Sequence, residues 1–328
     1  MSGRKKRVVL ALALCLWGTT VFGLVTHARA EAPNVLVTLK PLHSLMVAVM
    51  EGAAYPELLI RGGQSPHGYM LRPSDVKELG EAQIVVWVGA NIETALSRRL
   101  SDLSDSTFVV SPLEFPGMTI LKRRTIAVWD DPKEKHVAKP HEGHGEIDPT
   151  DHKSWVDPHI WLDPKNARAF TNTMVGILSG IDRENAALYA RNGKKLNYRL
   201  IDLDREIKQE LEPVRGIPYL VFHDGYRYFE HHFGLKPAGV VAIHPEDLPT
   251  PRHLAHIKTV VEEASVRCVF GEPQFRSQIV QGFLAETGAT LGLLDPLGAN
   301  LEPGPDLYFG VMRGISNSLA SCLSTNIS

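Results

Sequence analysis

The chain has 328 residues, 44% of them hydrophobic and 22% charged, with 35 Lys and Arg against 37 Asp and Glu. Setting aside the first thirty residues, which carry five cations and no acid, leaves a balance of -7 that argues against nucleic acid as a partner. The length leaves room for two domains of ordinary size, each with its own core.

Arg4, Lys5, Lys6 and Arg7 precede an apolar run from Val8 to about Val25, and Ala28-Arg29-Ala30 follows as a small-x-small cleavage site. This is the pattern of a secretory signal peptide over residues 1–30. A membrane anchor is the alternative, but the run is close to the lower length limit and Gly18, Thr19 and Thr20 interrupt it. The expectation is an exported, periplasmic protein beginning near Glu31 that does not span a membrane. Cys15 follows the bulky Leu14, which does not suit a lipoprotein.

Beyond the leader, short apolar runs alternate with helical patterns. VLVTL at 35–39 is followed by PLHSLMVAVMEG, PELLI, a helical segment at 74–82, IVVWVG at 84–89, a helix near 93–104 and TFVVS. A helix is expected from Pro164 to Gly180, with Asp163 as N-cap and proline in the first turn, and a charged helix from about Arg183 to Leu211. The rhythm restarts with YLVFH at 219–223, a helix to Phe233, AGVVAI, a helix from Thr250 to Ala264, RCVFGE, a helix near 275–286, TLGLLDP and a closing helix into Cys322. Such alternation predicts an α/β fold of two lobes, each a mostly parallel sheet wrapped by helices. The expected organisation is an N-terminal lobe over 31–162, a connecting helix over 163–182 and a C-terminal lobe over 183–328. Cys268 and Cys322 are the cysteines left outside the leader, and an even count in an oxidising compartment implies a disulfide between them. It would close a loop of about 55 residues and contribute ~4 kcal/mol on the chain-entropy model. Two unpaired buried thiols are the alternative.

Ligands in open α/β sheets bind beyond the carboxyl ends of the strands. His67 in QSPHGY, His159 in VDPHIWLDP, His223 at the end of YLVFHD and Asp295 at the end of TLGLLDP all fall in such places. Three imidazoles and a carboxylate suit a borderline divalent cation such as Zn2+, whereas manganese prefers more oxygen. Two of these residues come from each lobe, so one ion would sit between the lobes. Each histidine taken singly also fits a capped or hydrogen-bonded structural role.

The segments KPLHSL at 40–45, GGQSPHGYMLRPSDVKEL at 62–79, DPHIWLDPKNA at 157–167, VFHDGYRYFEHHFGL at 221–235, FGEPQF at 270–275 and LLDPLG at 293–298 resemble the ZnuA-type group of metal solute-binding proteins. These are the zinc-binding periplasmic components of ATP-driven uptake systems. The resemblance implies that His67, His159 and His223 bind the metal. Relatives tuned to manganese carry Glu at the third position, so His223 implies zinc, with Asp295 as fourth ligand or water in its place. Pro66 stands where some zinc-selective relatives have an acidic fourth ligand. The resemblance also accounts for HVAKPHEGHGEIDPTDH, within a His-rich loop at 130–155 in the place of a mobile insertion. Its Gly- and Pro-broken sequence predicts weak binding of several ions by His136, His141, His144 and His152, which would collect zinc or sense its abundance. A solvated loop with idle histidines is the alternative.

Other polar residues have plainer roles. His43 is expected in a first helical turn with a solvent-facing ring, His231 and His232 at helix C-terminal carbonyls, and His244, His253 and His256 at the surface. Trp87, Trp155 and Trp161 read as core, and Arg72, Ser74 and Asp75 as a helix cap. Asp157, Asp163 and Asp224 are candidates to accept the second ring N–H of a ligand histidine. The sequence has no H-E-x-x-H, G-x-S-x-G or P-loop motif, so the ATPase would be a separate subunit. The resemblance implies a non-enzymatic, monomeric carrier that delivers Zn2+ to an ABC permease. A manganese carrier of the same fold and a secreted zinc hydrolase with Glu272 as base are the alternatives.

Overall fold

Four short runs, β1 (Val35–Val37), β2 (Glu57–Leu58), β3 (Ile84–Val86) and β4 (Phe108–Val110), pair in parallel in the order β2-β1-β3-β4. Parallel neighbours need crossovers, supplied by α1 (Lys40–Met50), α2 (Pro73–Glu81) and α3 (Thr94–Ser101). A second parallel sheet repeats the topology as β6-β5-β7-β8, from β5 (Tyr219–His223), β6 (Gly239–Ala242), β7 (Cys268–Gly271) and β8 (Thr290–Leu293). The computed structural model describes residues 32–103, 107–124, 156–242, 249–275 and 287–324. The chain divides into Met1–Ala30 and Glu31–Ser328. The first unit, with the expected signal peptide, lies outside the described residues, as do most of the helix expected at 275–286 and the His-rich loop.

Between the sheets run α4 (Pro164–Ile181) and α5 (Ala186–Leu211), which pack on each other. Asp163 caps α4 by accepting the Lys165 N–H at 2.7 Å, and Pro164 starts the first turn without a lost hydrogen bond. The α5 face bearing Tyr189, Gly193, Leu196, Leu200, Leu203, Ile207 and Leu211 follows steps of three and four and is buried. A Cβ at Gly193 would stand 2.6 Å from Val175 Cγ2, so this glycine permits the close approach of α4. In the second lobe, α6 (Arg227–Phe233) and α7 (Pro251–Glu263) provide crossovers, and α8 (Leu307–Ser324) returns against α1 and α5.

The core differs from the expected pair of separate cores. One apolar cluster runs from Val35, Val37 and Val85 through α1, α4, α5 and α8 to Tyr219, Val221 and Phe270 of the second sheet. Only the other face of that sheet, with Leu220, Phe222 and Val241 against Ile257, Val260 and Val261 of α7, forms a cluster of its own. The physical cause is α1: all eleven of its residues are buried, so it has apolar contacts on every side. A disulfide joins Cys268 at the start of β7 to Cys322 near the end of α8, 54 residues apart. None of the described helices is long and apolar enough to cross a membrane.

Candidate metal centre

The three histidines arrive from separate pieces of chain. His67 lies in the loop between β2 and α2, His159 precedes the 3-10 turn Ile160–Leu162 that leads into α4, and His223 is the last residue of β5. His159 Nε2 is 3.4 Å from both His67 Nε2 and His223 Nε2, and the three ligand atoms all lie within 4.8 Å of one another. Two nitrogens at about 2.05 Å from zinc, separated by the tetrahedral angle, stand about 3.3 Å apart. The spacing therefore fits a common ion. His159 and His223 are buried and His67 is half-buried, so the ion would be reached from the His67 side.

Carboxylates fix two of the rings. Asp157 Oδ1 accepts from both the backbone N–H and Nδ1 of His159 at 2.9 Å, while Glu272 Oε1 accepts from His223 Nδ1. With Nδ1 carrying the proton, each Nε2 presents its lone pair to the centre. In the second sheet the chain reverses its order between β5 and β7, the usual place for a ligand. His223 ends β5 and Glu272 follows β7, so this pair straddles that point. Burial lowers the His223 pKa, but the Glu272 charge and hydrogen bond outweigh it and leave it above the ordinary value. Asp157 Oδ2 is buried with no hydrogen-bond partner among the described residues. At Gly225 a Cβ would come within 2.5 Å of His223 Nε2 and 3.4 Å of His159 Nε2, so glycine keeps open the space that an ion and its remaining ligand need. Nitrogen donors, their spacing, the open space and the surrounding acids all fit a bound divalent cation.

Of the two roles left open for Asp295, the structure fits the one in which it leaves its place to water. It does not join the three rings: Oδ1 accepts from Leu297 N, Gly298 N and Gln274 Nε2 at 3.1, 2.9 and 2.8 Å, and Oδ2 accepts from Ala299 N. The carboxylate is the organiser of its own loop, satisfying the backbone amides of residues 297–299. Of the three proposed ring-orienting aspartates, Asp157 takes that place. Asp163 Oδ1 instead pairs with His232 Nδ1 at 2.8 Å, and Asp224 Oδ1 accepts from Arg124 at 2.6 Å. His232 is thus held between carboxylates, its Nε2 on Asp204, and not on helix carbonyls. The His43 ring is buried in α1, with Nε2 2.8 Å from Pro56 O, in contrast to the expected solvent-facing ring. Burial lowers its pKa, against the opposing effect of that carbonyl. His253 Nε2 lies 3.0 Å from Val241 O. Asp75 closes the expected cap of α2, accepting the Arg72 N–H at 2.7 Å, and Trp161 is core, donating Nε1–H to Pro296 O at 2.8 Å. His136, His141, His144, His152, Trp155 and His244 lie outside the described residues.

Three supporting residues escaped the sequence reading. Lys40 donates to the carbonyls of Gly298 and Leu301 across the lobes, the latter at 2.7 Å. Tyr228 donates to Asp157 O at 2.9 Å and accepts Leu121 N–H at 3.0 Å, bracing the His159 loop from α6. Arg124 bonds Glu230 Oε2 at 2.7 Å as well as Asp224. Burial raises the Glu230 carboxyl to about 7 despite this guanidinium. The one available signal was chemical: cations inside an otherwise apolar fold need acceptors nearby.

The chain matches the family model described as zinc-uptake complex component A, periplasmic, over residues 35–322. It is 37% identical over 313 residues to the high-affinity zinc uptake system protein ZnuA of Brucella suis, covering 90% of this chain and 92% of the relative. The Yersinia pestis protein of that name is 34% identical over 320 residues, covering 97% of each. Among solved structures, a ZnuA crystal structure superposes with a TM-score of 0.72 at 22% identity, covering 90% of this chain and all of that one. FpvC of Pseudomonas aeruginosa in complex with Mn2+ gives 0.73 at 21% identity, covering 89% and 99%. These last two show the shared fold, and the family model and the relatives show the kinship: the chain belongs to the ZnuA family of periplasmic zinc-uptake components.

Proposed function

We propose that this protein captures Zn2+ between His67, His159 and His223 and delivers it to the permease of an ABC transporter for high-affinity zinc uptake. It is the binding component of an uptake system and not an enzyme. The observation that carries the zinc reading is the convergence of three Nε2 atoms within 4.8 Å, with no carboxylate oxygen in the group among the described residues. A nitrogen-only donor set suits zinc better than manganese. A hydrolase would need a base beside the metal's open position, and Glu272 is instead engaged with His223 Nδ1.

In this reading residues 1–30 direct export and are removed. The N-terminal lobe over 31–162 gives His67 and His159, the C-terminal lobe over 183–328 gives His223, and residues 163–182 connect them. The protein acts as a monomer, and water completes the coordination. Because imidazole must be neutral to bind metal, release by protonation is costly at neutral pH, and the permease has to displace the ligands. His136, His141, His144 and His152 collect zinc and pass it to the cleft. Deleting residues 134–153 is expected to slow zinc loading or lower the stoichiometry, and unchanged stoichiometry, affinity and loading rate would reject the collecting role.

Competitive chelator titration of the purified mature protein tests the main assignment. His67→Ala, His159→Ala and His223→Ala should each weaken zinc binding by at least about 100-fold, more than loss of an outer hydrogen-bond partner does. Tighter binding of manganese than zinc, or variants that bind as the parent does, would contradict it.

A further inference from the structure

A carboxylate stands one residue from a zinc-binding imidazole, yet takes no part in the ligand group. Asp224 follows His223, its side chain is only 8% exposed, and its charge reaches Asp157 and the His159 ring. What occupies it is Arg124, which comes from the first lobe, just beyond the Lys122–Val156 bridge. The guanidinium gives Nη1 to Asp224 Oδ1 at 2.6 Å and Nη2 to buried Glu230 Oε2 at 2.7 Å. A planar fork with both donors engaged holds its partners in a fixed geometry, as a single ammonium does not.

Removing that cation would leave two desolvated carboxylates close together. A buried charge without a partner costs several kcal/mol, so Asp224 would either take up a proton or turn toward another cation. Arg123, whose charge also acts on Asp224, is one such cation, and with metal present the ion on the adjacent His223 is the other. An oxygen donor added to three imidazoles favours a harder ion, since manganese prefers carboxylate and water whereas zinc is satisfied by nitrogen.

We propose that Arg124 is a positioning residue that sets metal specificity: by holding Asp224 against Glu230 it keeps a carboxylate off the ion and biases the centre toward zinc over manganese. The inference rests on the assignment of the metal to His67, His159 and His223. It explains why a buried acid next to a ligand is compatible with a nitrogen-only site.

The test compares the parent protein with Arg124→Met, Arg124→Lys, Asp224→Asn and the Arg124→Met/Asp224→Asn double variant. Each is titrated with Zn2+ and Mn2+ in competition and loaded with Co2+ for its visible spectrum. Arg124→Met should raise manganese affinity relative to zinc by about tenfold or more and weaken the Co2+ absorption as coordination rises above four. Arg124→Lys should shift the ratio in the same direction by a smaller amount, which keeps the test decisive where the methionine variant does not fold. The double variant should regain the parental ratio and spectrum, and Asp224→Asn alone should weaken zinc affinity by less than about tenfold, below the loss seen for an outer partner of a ligand. A ratio and spectrum unchanged in both Arg124 variants, a shift that persists in the double variant, or a large loss of zinc affinity in Asp224→Asn would each overturn the inference. A parent protein that binds no Co2+, or binds it equally after His223→Ala, overturns the site assignment itself and this inference with it.

Discussion

Glu93 shows how much a single side chain can depend on its surroundings. It is fully buried at the start of α3, where Oε2 accepts the N–H groups of Val88 at 2.6 Å and Gly89 at 3.2 Å. Burial pushes its carboxyl up to about 7, against the opposing hydrogen bonds from the Gly89 and Val88 amides. In the unfolded chain a glutamate titrates near 4.3, so between roughly pH 4.5 and 7 the unfolded state releases a proton that the folded state keeps. Stability from this group is therefore full below about pH 4.3 and lost as pH rises to about 7, by an amount on the order of 3 kcal/mol. Glu93→Gln, which keeps the acceptor, should stabilise the protein at pH 7.5 and make little difference at pH 4.5 in urea unfolding. An equal effect at both pH values would contradict this. The same dependence on surroundings limits what a sequence shows at this scale. The convergence of His67, His159 and His223 was expected from their places at strand and loop ends together with the family resemblance of the motifs around them. Asp295 looks identical in sequence whether its oxygens face a metal or the amides of 297–299, and only the loop's path decides.

At the scale of elements, α6 is held to two other helices by one imidazole. His232 near its end places Nδ1 2.8 Å from Asp163, the N-cap of α4, and Nε2 on Asp204 of α5, whose other oxygen pairs with Lys208 at 2.7 Å. Burial lowers the His232 pKa, yet the two carboxylates outweigh it and set it above the ordinary value. A raised imidazole pKa stabilises the fold fully below about pH 6.5 and loses that contribution as pH rises through the folded value. The stability gap between the parent and His232→Gln should therefore be widest in acid and shrink above neutrality, and a gap that is constant or grows with pH would contradict the clamp. Most elements were legible in advance. The strands appear as short apolar runs, and Asp163-Pro164 marks the start of α4. The burial of α1 was harder to see because Lys40, His43 and Ser44 look like an exposed face. Each of them finds a partner only in distant chain: Lys40 at Gly298, His43 at Pro56 and Ser44 at Tyr308.

Across the whole molecule, the two sheets have the same strand order, share the larger apolar core and both contribute to the cluster of His67, His159 and His223. The bonds that cross the seam surround that centre: Lys40 to the Asp295 loop, Trp161 to Pro296, Tyr228 to Asp157 and Arg124 to Asp224. Repetition of βαβ units in the sequence was enough to place the chain in the α/β class, but a shared core was not legible. It depends on α1, α5 and α8 meeting, which no local pattern encodes.

The most direct measurement is anomalous diffraction at the zinc edge from crystals of the zinc-loaded protein. The account predicts a strong peak about 2.0–2.1 Å from Nε2 of His67, His159 and His223. A fully occupied zinc ion elsewhere, with these three rings left uncoordinated, would contradict it.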